Sequence, residues 1–121
     1  MSRAPKVGRS KYNVRTDAVG KANRTVDGFL FDSLKEAKRY SELKMLERAG
    51  EITALALQPS YDLWVNDMKV CRYRADFTYV TLVNGIAGVS VVEDCKGFKT
   101  PEYKLKKKLM RAIYGIEVKE V

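Results

Sequence analysis

KVCRYRADFTYVTLVNGIAGVSVVEDCKG, residues 69–97, is the stretch on which the architecture turns. From Lys69 to Val83 it is rich in Val, Tyr, Phe and Thr, which suit a pleated, half-buried surface. Asn84-Gly85-Ile86-Ala87-Gly88 reads as a hairpin loop, and Val89 to Cys95 as the returning strand. Ionised groups interrupt both apolar runs: Asp76 in Tyr73-Arg74-Ala75-Asp76-Phe77, then Glu93, Asp94 and Lys96 in Val91-Val92-Glu93-Asp94-Cys95-Lys96-Gly97. Burying a carboxylate is costly unless something compensates it, and a divalent cation is a good compensator. Asp94 and Lys96 are two apart, so in a strand they project from one face. A carboxylate able to hold a metal then stands beside an ammonium able to orient water or neutralise charge developing on a phosphate.

Register decides whether Asp76 joins them. A two-residue Asn84-Gly85 turn pairs Asp76 with Glu93 and sends Asp94 to the opposite face, because the strand period is two. A three-residue loop, Gly85-Ile86-Ala87, pairs Asp76 with Lys96 and sets Asp94 diagonally beside it; a bulge has the same effect on parity. The chemistry requires the odd arrangement, so the three-residue loop is predicted, although Asn-Gly alone argues for the tight turn. Glu93 is then expected to point away from the site, toward Arg72 or Arg74. Cys95 is expected to face the other side of the sheet and enter the core.

Outward from this hairpin, Ser33-Leu34-Lys35-Glu36 has capping-box spacing and opens a helix that runs to about Ala49 and stops at Gly50. Ile52 to Leu57 reads as a short strand ended by Gln58-Pro59, and Tyr61 to Val65 as a second, followed by an Asn66-Asp67 turn. Trp64, with Tyr61 and Leu63 nearby, is expected in the core rather than as a base-stacking platform. On the other side Thr100 caps a helix with Pro101 at its first position, continuing to about Tyr114 and ended by Gly115. Ile116 to Val121 alternates like a last short strand. Helix, three or four strands, helix, strand: the order αβββαβ implies one α/β domain over 26–121, a mixed β-sheet flanked by helices. Residues 1–25 form a basic segment with no sustained apolar period, either a solvated, flexible tail or an arm whose Arg9, Lys11 and Arg15 neutralise phosphates.

The formal net charge is +8, which in a chain of 121 residues points to a polyanionic partner. There is no histidine, which excludes Ser-His-Asp and Cys-His catalysis and histidine zinc sites. Hydrolysis must then rest on carboxylates, lysine and a hard metal ion. No glycine-rich phosphate loop calls for a nucleotide cofactor. Cys71 and Cys95 lack metal-ligand spacing and are expected as reduced thiols. Nothing resembles a membrane span or a signal peptide, so a cytoplasmic location is expected.

Taken together, these residues resemble the PD-(D/E)xK nuclease superfamily, in which an acid near one strand precedes (D/E)-x-K on the next and a further acid lies on the preceding helix. Asp76 matches the first acid, Asp94-Cys95-Lys96 the second element, and Glu36 the helix acid. The likeness is to short phage-encoded members, and more widely to phage Holliday-junction resolvases; it runs from about Lys11 through Phe31-Asp32-Ser33, Gln58-Pro59, Ala75-Asp76-Phe77 and Glu93 to Gly97, into the lysine-rich last helix. Ala75 stands where the motif's proline would be. The resemblance implies a restriction-endonuclease-like core, with Mg²⁺, or Mn²⁺ in its place, held by Asp76, Asp94 and the main-chain carbonyl of Cys95. It implies that Lys96 positions the attacking water, that Glu36 reaches the metal directly or through water or a second ion, and that Gln58 holds a metal-bound water or the scissile phosphate. Location would be host cytoplasm for a phage-encoded chain.

Plainer readings stand beside these. Glu36 occupies the capping-box position, where it caps the helix without catalysis. Asp76 and Lys96 could form only a cross-strand ion pair. The last helix and the residue before its cap carry Lys99, Lys104, Lys106, Lys107, Lys108 and Arg111 with Tyr103 among them, a solvated face or a DNA-contacting one; Lys104 and Lys108, four apart, share a side. The expected activity is a structure-selective DNA endonuclease, with branched or junction DNA as favoured substrate and a homodimer where two strands are cut. The alternatives are a nicking or flap nuclease or exonuclease of the same fold, a non-catalytic DNA-binding accessory protein, or a protein acting on RNA.

Overall fold

Parity along the hairpin of residues 77–94 places the acids, and it is reached by a different route from the odd loop. In the computed structural model, which describes residues 17–121, β6 (Phe77–Val83) and β7 (Ile86–Asp94) are joined by a two-residue turn. Val83 pairs with Ile86 and Leu82 with Ala87. Asn84 and Gly85 both take positive φ, 51° and 76°, as a type I′ turn demands. The predicted three-residue loop is therefore absent: the local preference of Asn-Gly prevails at the tip. One step later the register shifts, and Val80 faces Ser90. Thr81 is thus opposed by both Gly88 and Val89, a β-bulge held by the Val89 N–H donating to Thr81 Oγ1 at 2.9 Å. A Cβ on Gly88 would come 2.6 Å from that hydroxyl.

The bulge supplies the odd residue that the loop does not. Below it Phe77 pairs with Glu93 and Thr78 with Val92, so Glu93 shares a face with Phe77 and Tyr79 while Asp94 shares the other with Val92. Deleting Gly88 should leave this pairing intact, because one residue would then oppose Thr81 in a regular ladder with the same turn. The expected result is a melting temperature close to wild type. A large loss would mean that the bulge geometry itself, rather than the register beyond it, matters.

The chain clusters into two compact units, Met1–Lys44 and Met45–Val121. In the first, α1 (Ala18–Asn23) is capped by Asp17, whose carboxylate accepts from the Gly20 N–H at 2.8 Å. The expected flexible segment 1–25 thus holds a capped helix from Ala18 onward, a start that a single Asp in a basic stretch concealed; residues 1–16 lie outside the described residues. A small hairpin follows, β1 (Thr25–Val26) and β2 (Phe29–Leu30). The buried Arg24 donates from Nε to the Phe31 carbonyl at 2.8 Å, and Phe29, Phe31 and Tyr40 form an aromatic cluster. Ser33 Oγ accepts the Glu36 N–H at 3.1 Å, so α2 (Leu34–Arg48) starts on the predicted cap.

In the second unit β3 (Ile52–Leu57), β6, β7 and β8 (Lys119–Glu120) form a four-stranded sheet in the order β3-β6-β7-β8. Its first two pairings are antiparallel and β7–β8 is parallel, so the sheet is mixed, as expected. The β-rich run 69–83 is not one strand. β4 (Ser60–Val65) and β5 (Met68–Arg74) make a separate two-stranded sheet, and the chain leaves it at Ala75-Asp76 to enter β6. Helix α3 (Pro101–Tyr114) starts on Thr100, whose Oγ1 accepts the Tyr103 N–H at 3.0 Å, and ends on left-handed Gly115. Leu63, Tyr73, Ala75, Val92, Tyr103, Met110 and Val118 form the core that joins α3 to both sheets. Trp64, expected there, is instead 51% exposed: Leu63 takes the inward position of β4 and a register shift follows it. Both cysteines are free thiols, and Cys95 is buried as expected. Among the described residues no helix is long and apolar enough to cross a membrane.

Candidate active site

Asp76 stands where the chain passes from one sheet to the other, and its main chain is held from two sides. Its N–H donates to the Glu93 carbonyl at 3.0 Å, and its carbonyl accepts the Gln58 N–H at 2.9 Å. Its side chain meets the residue that follows β7, Oδ2 accepting the Cys95 N–H at 2.6 Å. Asp94, at the end of β7, is 1% exposed. Its Oδ2 accepts from the Tyr73 hydroxyl at 2.5 Å. Its Oδ1 is buried and accepts no hydrogen bond, although Lys96 Nζ lies 3.3 Å away in an ion pair. Asp76, Asp94, Lys96 and the backbones of Cys95 and Gln58 are thus gathered at one end of the β6–β7 pair.

Two tyrosines line this cluster. Both phenols are surrounded by negative charge from Asp94 and Asp76, and both have pKa values raised well above the usual range, chiefly by burial and then by the hydrogen bond each donates. They therefore remain protonated donors. Tyr103 also supplies the ring over which Lys96 Nζ sits, 4.6 Å from the centroid. The Lys96 ammonium is fixed between that ring and the Asp94 carboxylate. Tyr73 carried no signal in the sequence beyond its β propensity, since its donor role depends on a neighbouring sheet. Glu93 lies on the opposite face, as parity requires, and is fully buried with the Tyr79 hydroxyl donating to it. Arg72, one of its expected partners, pairs instead with Asp62 directly across β4–β5, at 2.9 Å.

The basic residues divide into two groups. Glu120 on β8 gathers Lys99 (2.8 Å), Lys107 (3.3 Å) and the Tyr103 hydroxyl (2.8 Å). Tyr103, expected among the DNA contacts, is 6% exposed, because its helical position faces the core while Lys104 and Lys108 face solvent. Lys104, Lys108 and Arg111 lie at i, i+4 and i+7 on the exposed side of α3, with Arg111 loosely paired to Glu117 at 3.8 Å. Phe98, in the loop between Lys96 and α3, is 76% exposed, a feature the sequence reading passed over. Arg9, Lys11 and Arg15 lie outside the described residues. Glu36 is buried in the first turn of α2, in the unit Met1–Lys44.

Lys99, then Tyr103 and Lys107, hold the Glu120 carboxyl down at about 2, below its ordinary 4.5. A depressed folded-state pKa contributes stability above the unfolded value, and that contribution is lost as pH falls from about 4.5 toward about 2. Glu120→Gln should therefore flatten the stability–pH curve in that window, read as melting temperature against pH, and leave its slope near neutrality unchanged. An unaltered acid limb would show that the Glu120 tie adds nothing.

The donor chemistry suits a hard divalent ion. Among the described residues no group of three or more His, Cys, Asp or Glu side chains is arranged to hold a metal, so the carboxylates on offer are the pair Asp76 and Asp94. A buried carboxylate oxygen without a hydrogen-bond donor is costly, and a cation removes that cost. Mg²⁺ is commonly held by one or two carboxylates, with waters and substrate phosphate completing its shell. Asp94 Oδ1, buried without a hydrogen-bond donor and with the Lys96 ammonium at 3.3 Å, fits that role.

The family described as Protein of unknown function (DUF1064) matches residues 9–120 of the chain. No curated protein and no solved structure matches.

Proposed function

This chain belongs to the DUF1064 family, and we propose that it is a magnesium-dependent DNA endonuclease of the PD-(D/E)xK type that acts on branched or junction DNA. The observation that carries this reading is the Asp94 carboxylate: buried, with Oδ1 orphaned, Lys96 Nζ at 3.3 Å, and Asp76 tied to the adjoining Cys95 N–H. Simple DNA binding gives no reason to bury acids beside the surface that meets phosphates. The order α2, β3, β6, β7, α3, β8, with the β4–β5 hairpin as an insertion, supports reading the fold as an αβββαβ restriction-endonuclease-like core.

In this reading Asp94, through Oδ1, and Asp76 hold Mg²⁺, with the Cys95 carbonyl as a further donor. The bound ion supplies Lewis-acid neutralisation of charge on the phosphoryl oxygens. Lys96, held over Tyr103, orients the attacking water and stabilises negative charge growing on the phosphate. Gln58, bonded through its backbone to Asp76, is proposed to orient water or phosphate. Lys104, Lys108 and Arg111 follow the DNA backbone, which carries no base information and so fits selection by DNA shape. Cutting two strands of a junction symmetrically requires a two-fold dimer.

The test is a panel of labelled four-way junction, flap, nicked duplex, linear duplex and RNA hairpin, with Mg²⁺ and with EDTA. Preferential cutting of the junction, leaving 5′-phosphate ends, is expected. Preference for the flap or nick, or for ends, moves the reading to a different nuclease of the same fold. Binding without any cutting refutes the enzyme reading.

A further inference from the structure

The two oxygens of Asp94 are treated differently by the fold. Oδ2 is taken by Tyr73, whose hydroxyl donates to it at 2.5 Å, while Oδ1 has no hydrogen-bond donor. Tyr73 cannot readily swing away. It is 3% exposed near the end of β5, paired with Tyr61 of β4, and its ring lies 6.4 Å from that of Tyr61 and 6.5 Å from that of Tyr103. Asp76 Oδ2 is likewise committed, accepting the Cys95 N–H at 2.6 Å.

We infer that Tyr73 is a positioning residue for the cation: by occupying Oδ2 it presents Asp94 as a one-oxygen ligand through Oδ1, and so favours a small octahedral ion over calcium. This rests on the reading of Asp94 as a metal ligand. Ca²⁺ gathers roughly six to eight oxygens and commonly takes both oxygens of a carboxylate, whereas Mg²⁺ demands near-octahedral geometry and keeps several waters. A carboxylate with one oxygen locked by a phenol offers the second ion what it needs and denies the first a bidentate grip. Partners that orient a ligand set both its affinity and its preference.

The experiment uses the full chain without DNA. MgCl₂, MnCl₂ and CaCl₂ are titrated calorimetrically into wild type, Tyr73→Phe and Asp94→Asn, with melting curves to establish folding. Wild type is expected to bind Mg²⁺ and Mn²⁺ more tightly than Ca²⁺. In Tyr73→Phe, which keeps the ring and its packing, the Ca²⁺-to-Mg²⁺ affinity ratio should rise by about tenfold, the lower end of what losing an orienting partner does. If Asp94→Asn abolishes binding and folded Tyr73→Phe keeps the wild-type ratio, the Tyr73 inference is overturned and the metal site stands. Should Asp94→Asn bind as wild type does, or wild type bind none of the ions, the metal reading itself fails and the inference with it. Where Tyr73→Phe does not fold, the wild-type preference decides: Ca²⁺ bound as tightly as Mg²⁺ overturns the inference, and clear preference for Mg²⁺ supports it.

Discussion

Asp94→Asn is expected to cut DNA at least about a thousandfold more slowly than wild type while binding it as well or better. The asparagine keeps the volume and an acceptor for the Tyr73 hydroxyl, so the site should hold its shape. What disappears is the negative oxygen at Oδ1, and with it the proposed anchor for a cation. Removing one electrostatic contributor to a transition state commonly costs about 10²–10³ in rate, and losing the ion removes more than one. Cleavage of a labelled junction and gel-shift affinity, measured side by side, separate the two effects. A variant that cuts within tenfold of wild type would remove Asp94 from the chemistry.

Lys96→Met should lose both activity and stability, in a pattern that depends on the metal. With the ammonium gone, the Asp94 carboxylate is left buried and 1% exposed, with Tyr73 as its remaining hydrogen-bond donor. Breaking a buried ion pair from one side typically costs about 3–5 kcal/mol; the retained phenol bond and the 16% exposure of the Lys96 side chain place this case near the lower end. A divalent ion at Oδ1 supplies the missing positive charge. Added Mg²⁺ should therefore raise the melting temperature of Lys96→Met more than that of wild type, since binding to the folded state alone stabilises it. Thermal melts in EDTA and in Mg²⁺ provide the comparison. Equal Mg²⁺ increments in the two proteins would mean that Lys96 and the ion do not share the Asp94 charge.

Local signals carried much of this fold. Thr100-Pro101 and Gly115 bracket α3, Ser33 starts α2, and Asn66-Asp67 turns β4 into β5, because caps and tight turns are decided within four or five residues. What misled were features that depend on partners distant in sequence. Nothing in the run 69–83 announces that the chain changes sheets at Ala75-Asp76; that depends on β5 finding β4 while β6 lies between β3 and β7. Trp64 looks like core by composition and lies outside by alternation.

The candidate site was legible to a similar degree. Asp76, Asp94 and Lys96 stand out because ionised groups in apolar strands demand a reason, and putting Asp94 on the face opposite Glu93's pairing with Phe77 takes one odd residue. That residue lies in the Gly88-Val89 bulge rather than in the loop, and the bulge depends on a cross-strand hydroxyl that no local pattern displays. Tyr103 was misread for a related reason. Lying among lysines in the sequence says little about the helix face, and its 100° offset from Lys104 turns it toward the core, where it carries Lys96 and ties to Glu120. Tyr73 and Glu120 acquire roles only once the sheets and α3 are assembled.

Hydrolysis of DNA by the Asp76–Asp94–Lys96 cluster with a divalent cation is tested with the wild-type chain on an end-labelled four-way junction in Mg²⁺, in Mn²⁺ and in EDTA. Discrete cleavage with either ion and none in EDTA is the expected result. Firm junction binding with no cleavage under any of the three conditions would contradict it.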